Sequence, residues 1–144
     1  AEIVLDKLIS WSDHAEDGVR HFSGAATYTA EVDMPTAPLP AGAAWHLDLG
    51  QVKEVAEVRL NGASLGALWK PPFILEISKA LKPGRNRIEI RVANLWPNRL
   101  IGDAALPPER RYTSTNWNPY TPGHALFESG LLGPVLLIAS ARHA

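Results

Sequence analysis

The sequence predicts an all-β chain folded as one antiparallel β-sandwich, and three observations carry that expectation. Apolar residues recur with a period of two, and no helical period competes with it. Turn-forming dipeptides punctuate the runs at short intervals. The composition joins five tryptophans to 12 prolines and 11 glycines, a mixture suited to short strands, structured loops and large aromatic surfaces. A length of 144 residues, 46% of them apolar, matches one domain with a full core, so residues 1–144 are read as a single domain.

Taken in order, residues 1–22 read as an N-terminal strand or lead-in. In Thr27–Met34, Tyr28, Ala30, Val32 and Met34 share one face and Thr27, Thr29, Glu31 and Asp33 the other. Pro35–Gly42 is too rich in proline for a strand or a helix. Trp45, Leu47 and Leu49 alternate with His46 and Asp48, and Ala56, Val58 and Leu60 alternate with Val55, Glu57 and Arg59. Asn61-Gly62 is a hairpin signal because both residues tolerate positive φ, so it should pair the strand ending at Leu60 with Ser64–Trp69. Pro71-Pro72 interrupts the ladder before Phe73–Ile77, Ser78–Leu81 hints at one helical turn, and Lys82-Pro83-Gly84 makes the next reversal. Arg87–Val92 alternates most cleanly, with Ile88, Ile90 and Val92 inward and Arg87, Glu89 and Arg91 outward. The pattern then fails over 94–132, which reads as a long irregular loop and, by its length, as a functional or packed segment. It returns in Pro134–Ala141, apolar on both faces, which predicts a central or covered strand.

Charge and composition exclude several classes. A net charge of −1 does not suit a nucleic-acid surface, which needs clustered Lys and Arg. The longest apolar run, near Val135–Ala139, is far too short to cross a bilayer. The absence of cysteine removes disulfides, thiolate nucleophiles and cysteine-based zinc sites. No basic and apolar leader opens the chain, and it begins at Ala1 rather than Met, as a processed product or an excised segment would.

Catalytic patterns are not visible. Glycoside hydrolysis needs two opposed carboxyl groups, and the irregular segment offers only Asp103, Glu109 and Glu128, with nothing that sets them face to face. Ser129 lacks the setting of a nucleophile elbow. His14, His21, His46, His124 and His143 show no metal-ligand spacing. No cofactor is expected, and a structural calcium held by carboxylates and carbonyls is left open.

Aromatic and planar polar residues are concentrated instead. Trp96, Asn98, Arg99 and Asp103 fall in one loop, and Tyr112, Asn116, Trp117, Asn118 and Tyr120 in the next. Sugar rings stack apolar C–H faces on aromatic rings and offer hydroxyls to amides, carboxylates and guanidinium groups. The set Trp96, Asn98, Arg99, Asp103, Tyr112, Asn116, Trp117 and Tyr120 is therefore the candidate carbohydrate-binding site. Asn94–Asp103 and Tyr112–Ser129 should converge at one end of the sandwich, with Arg99 able to grip Asp103 bidentately. The alternative has Trp96 and Trp117 plugging that end while Arg99 pairs with Asp103. Trp11, Trp45 and Trp69, on or beside predicted strands, are assigned to core or edge packing.

Several segments carry a family resemblance. His21-Phe22-Ser23-Gly24-Ala25-Ala26-Thr27-Tyr28, Leu47-Asp48-Leu49-Gly50, Ala56 to Gly62, Gly66 to Pro72, Leu81 to Asn86, Val92 to Trp96, Asn98-Arg99-Leu100-Ile101-Gly102-Asp103 and Ser129 to Val135 resemble a galactose-binding-like jelly roll. The set resembles the C-terminal sandwich of large bacterial α-L-rhamnosidases of glycoside hydrolase family 106, and is similar to sugar-binding domains of family 2. In such enzymes the catalytic carboxylates lie on a separate barrel, so no catalytic residue carries over to this chain. The resemblance implies a non-catalytic accessory domain whose partners are a rhamnose- or galactose-containing polysaccharide, a catalytic barrel domain, or both, in a secreted or periplasmic parent enzyme. An independent small glycoside-acting hydrolase and a purely structural interaction module are the alternatives. An exposed apolar patch would favour packing on a barrel, and a groove lined by tryptophan and polar groups would favour sugar.

Overall fold

A computed structural model describes residues 2–36 and 42–141, with the side chain of residue 141 left aside. Nine strands are described among these residues, with short helical segments before the first strand and between the seventh and the eighth. The strands are β1 (Ala25–Met34), β2 (Ala43–Asp48), β3 (Gln51–Lys53), β4 (Val55–Leu60), β5 (Ala63–Leu68), β6 (Ile74–Glu76), β7 (Gly84–Ala93), β8 (Gly130–Gly133) and β9 (Leu136–Ala141). They form antiparallel sheets in the orders β1-β7-β4-β5, β6-β2-β9 and β3-β8. Both larger sheets contribute to one core, so the chain is an all-β antiparallel sandwich, as its alternation requires.

Strand β7 shows why. Ile88, Ile90 and Val92 are buried, while Arg85, Arg87 and Arg91 stand in solvent. Its register places Ile90 opposite Tyr28 on β1 and Val58 on β4, and Val58, Leu60, Leu47, Ile77 and Leu131 join it in the core. On the wet face Arg91 meets Glu57 at 3.2 Å and Arg85 meets Glu31 at 3.5 Å. Exposed pairs of this kind contribute little, typically below about 1 kcal/mol. The hairpin is where the dipeptide puts it: Asn61 (φ 52°) and Gly62 (φ 83°) join β4 to β5, with Leu60 opposite Ala63. Ser78–Leu81 contains the expected turn, Ala80 and Leu81 both donating to the Ile77 carbonyl.

Other expectations are corrected. Residues 2–22 contain no strand; they form a 3-10 turn at Trp11–Asp13 and helix α1 (Asp17–Arg20). The segment 94–132 is not wholly irregular, for it holds helix α2 (Pro97–Ala104), a 3-10 turn at Pro108–Arg110 and the start of β8. Helix α2 buries Asn98, Ile101 and Gly102, an i, i+3, i+4 pattern that is helical but mixes a polar residue and a glycine with one apolar side chain, so hydropathy does not reveal it. Strand β9 is neither central nor covered: among the described residues it pairs only with β2, and Leu136 and Ile138 remain 48% and 38% exposed. Trp11 is buried, stacking on Tyr28 at 6.3 Å and meeting Phe22 edge-on at 5.4 Å. Trp45 is half-buried on the core. Trp69, at the end of edge strand β5, is 69% exposed instead of packed. Of the proline-rich stretch Pro35–Gly42, residues 37–41 lie outside the described residues.

Candidate functional site

At one end of the sandwich, side chains take over the backbone pairing that strands provide elsewhere. Asn94, just past β7, accepts from the Gly24 amide at 2.9 Å and donates to the Phe22 carbonyl at 2.8 Å, tying the segment to the lead-in. Pro97 occupies the first turn of α2, where a missing amide costs nothing. Asn98, buried beneath it, donates to the Phe127 carbonyl at 2.7 Å and accepts from the Phe127 amide at 2.8 Å, as a neighbouring strand would. Asn118 donates to the Leu100 carbonyl at 3.1 Å and accepts from the Tyr120 amide at 3.0 Å.

Asp103 is the firmest of these ties. Its buried carboxylate receives the Thr113 amide at 2.8 Å, the Thr113 hydroxyl at 2.5 Å, the Tyr112 amide at 3.2 Å and the Arg99 guanidinium at 3.0 Å. Burial alone would raise its pKa; the Thr113 hydroxyl, the two amides and Arg99 outweigh that and hold the carboxyl below the usual aspartate range. Arg99 reaches Asp103 Oδ1 through Nη2. It also lies over the Tyr112 ring, 4.6 Å from the centroid, and its Nε is buried without an acceptor among the described residues.

Asn94–Asp103 and Tyr112–Ser129 thus converge, and the eight candidate residues divide. Asn98 and Asp103 are consumed by backbone ties. Arg99 is shared between Asp103 and Tyr112. Tyr120 is half-buried, edge-on to His124 at 5.1 Å and to Phe127 at 6.0 Å. Trp96, Tyr112 and Trp117 are 64%, 77% and 73% exposed, and Asn116 is exposed as well. The plug reading of Trp96 and Trp117 is therefore overturned: neither indole fills the end of the sandwich.

Two hollows flank this end. One, of about 680 Å³, runs between the lead-in and α2 and is lined by Ser12, Asp13, Arg20, His21, Arg99 and Tyr112 among others. The second, of about 430 Å³, lies by Asn94, Pro97, Asn98, Phe127 and Glu128. Trp96, Asn116 and Trp117 line neither. The lead-in residues of the larger hollow escape sequence reasoning because they sit far from α2 in the chain and form no local motif. The one available signal is Gly102, a glycine inside a helix. Among the described residues no cluster of three or more His, Asp or Glu side chains stands grouped for a metal ion, and no helix is long and apolar enough to cross a membrane.

Comparison with known proteins now bears on this geometry. No family model matches the sequence. The rhamnosidase from Novosphingobium sp. PP1Y is 40% identical and superposes with a TM-score of 0.86, over 94% of this chain and 13% of that one. The likeness is to one segment of a glycoside hydrolase. A Formosa agariphila protein named "Putative beta-glucuronidase" is 38% identical over 157 residues, spanning 93% of this chain and 14% of that protein. The β-D-glucuronidase of Dictyoglomus thermophilum shares the fold, with a TM-score of 0.62 at 22% identity, over 92% of this chain and 24% of that one. The chain is thus similar to a glycoside-hydrolase-associated domain and corresponds to a small part of much larger proteins.

Proposed function

We propose that this chain is a non-catalytic accessory domain of an α-L-rhamnosidase-like glycoside hydrolase, a galactose-binding-like jelly roll that meets carbohydrate at its aromatic end and packs on the catalytic part through a sheet face. The observation that carries the reading is the match of 94% of this chain to only 13% of a solved rhamnosidase, at a TM-score of 0.86. The converged end supports it. Asp103 is buried in structural ties, whereas glycoside hydrolysis asks for two carboxyl groups free to face the scissile bond. The exposed rings of Trp96, Tyr112 and Trp117 favour a sugar contact. The outer face of the β6-β2-β9 sheet, which shows Ile74, Leu136 and Ile138 to solvent, favours packing against a larger body.

The test pairs two assays on the pure chain. It should release no chromophore from aryl α-L-rhamnosides or aryl β-D-galactosides, and it should be retained on a rhamnose-rich polysaccharide. Turnover that disappears with a single Asp or Glu substitution would overturn the non-catalytic reading.

A further inference from the structure

We propose that the hollow of about 680 Å³ between the lead-in and α2 is a binding site for a neutral sugar ring. The inference rests on the carbohydrate reading above and moves its centre from the exposed tryptophans to Arg99, His21 and Asp13.

Gly102 is the first indication. Its backbone is ordinary helix, so no positive φ calls for glycine, and a glycine inside a helix is less stable than an alanine there. Its missing side chain has a specific use. A Cβ there would lie 2.5 Å from Arg99 Nη2 and 2.8 Å from His21 Cγ. The bare Cα lets a guanidinium and an imidazole close together over the helix and form part of the wall of the hollow. Both groups are held in place. Arg99 is fixed by Asp103 on one side and the Tyr112 ring on the other. His21 Nδ1 is 3.1 Å from the Asp17 carbonyl, which leaves Nε2 as the remaining polar atom of the ring.

The remaining lining selects the ligand class. Ile101, Leu106, Leu126 and the Tyr112 ring give apolar surface for C–H faces, while the Arg99 guanidinium is a donor and the Asp13 carboxylate an acceptor for hydroxyls beside the His21 ring. The wall thus mixes apolar surface with many polar groups, as a hydroxyl-rich ligand requires, in a volume within the usual range of about 300–1,000 Å³ for a small-molecule site. Charge decides between neutral and acidic sugars. Arg20 and Arg99 are balanced in the lining by Asp13 and Asp17, and Asp103 behind Arg99 adds a further negative charge. These formal charges leave no arginine excess to hold a carboxylate or a sulfate, so the site suits a hydroxyl-rich ring without charge.

The test is amide NMR of the ¹⁵N-labelled chain titrated with methyl α-L-rhamnoside and methyl β-D-galactoside, with methyl β-D-glucuronide as the charged arm. A neutral glycoside should perturb amides of residues 12–21 and 99–106, and the glucuronide should bind at least tenfold more weakly. Gly102→Ala, which fills the space over the helix, should weaken the neutral sugar at least tenfold. His21→Ala should also weaken it severalfold, and decides the matter should Gly102→Ala fail to fold. Perturbation confined to residues 95–96 and 115–118 would overturn this site while leaving the carbohydrate reading standing. Loss of binding to every sugar would overturn both. Tighter binding of the glucuronide, or unchanged affinity in folded Gly102→Ala or in His21→Ala, would overturn the proposal.

Discussion

The four-stranded sheet and the converged end solve the same problem by opposite means. In β1-β7-β4-β5 the backbones satisfy one another: β1 and β7 pair from Ala25–Ala93 to Met34–Gly84 without interruption. Side chains there are left free to sort by polarity, so Ile88, Ile90 and Val92 go in and Arg85, Arg87 and Arg91 go out. Across 94–129 the backbone has few such partners, and Asn94, Asn98, Asp103 and Asn118 supply them from side chains. Asn86, at the start of β7, is the buried exception, tied to Asn61, Lys82 and Gly84; a polar residue on the outer face of the sheet is incidental, whereas one in the end segment is usually occupied. Amides and carboxylates in an irregular segment are first owed to unpaired backbone groups, and only the remainder can meet a ligand.

Breaking the strongest tie at the end should produce the largest effect. Asp103→Ala removes the acceptor for Thr113, Tyr112 and Arg99 together, and losing one partner of a buried pair costs about 3–5 kcal/mol. Thermal unfolding should drop by about ten degrees or more. The same residue predicts a pH dependence. Its folded pKa is depressed, so its contribution is full above the unfolded value, about 3.9, and is lost as pH falls through the folded value. Wild type should therefore lose stability on acidification below about pH 4 more steeply than Asp103→Asn. Equal slopes would mean that the carboxylate is not what holds the loop.

The sheet offers the matching disruption. Ile90 is 5% exposed between Tyr28 and Val58, and Ile90→Ala should cost about 2–5 kcal/mol in chemical denaturation, with no pH signature. Asn98→Ala comes next. It strands the amide and carbonyl of Phe127, at about 1–3 kcal/mol, and hydrogen exchange should quicken locally at Phe127 while the β7 amides stay protected.

This asymmetry also explains what could be read in the sequence. The strands of the sheet, the Asn61-Gly62 hairpin and the inward set on β7 follow from period two and turn chemistry, because there the local pattern and the packing agree. Helix α2 was hidden because its buried side is Asn98, Ile101, Gly102 and Asp103, chosen for hydrogen bonds and close approach rather than for hydropathy. Strand β9 misled for the converse reason. Leu136 and Ile138 have the hydropathy of covered residues and are exposed, an apolar outer face that nothing among the described residues covers. In the candidate site, the convergence of the two loops and the Arg99–Asp103 pair were legible. The lead-in wall was not, since Ser12, Asp13 and His21 reach α2 only through tertiary packing.

The smallest expected effect on stability is the most informative about ligand contact. Trp117 is 73% exposed, and its backbone is held without the indole: Thr115 donates its hydroxyl to the Trp117 carbonyl at 2.8 Å, and the Trp117 amide points back to that hydroxyl at 3.3 Å. Asn118 next to it is tied to Leu100. Trp117→Ala should therefore shift stability by no more than about 0.5 kcal/mol, a change of a degree or two in melting. A buried aromatic would instead cost about 3–5 kcal/mol, so a loss of several degrees would return the indole to a packing role that its exposure denies. With folding unaffected, retention on a rhamnose-rich polysaccharide becomes a clean reading of the exposed ring. Stacking on a sugar face is the one interaction the substitution removes without touching Asp103, Asn98 or the core. Unchanged retention, together with unchanged docking to a catalytic barrel, would remove Trp117 from the functional surface and leave the lead-in hollow as the place where this end of the sandwich meets its ligand.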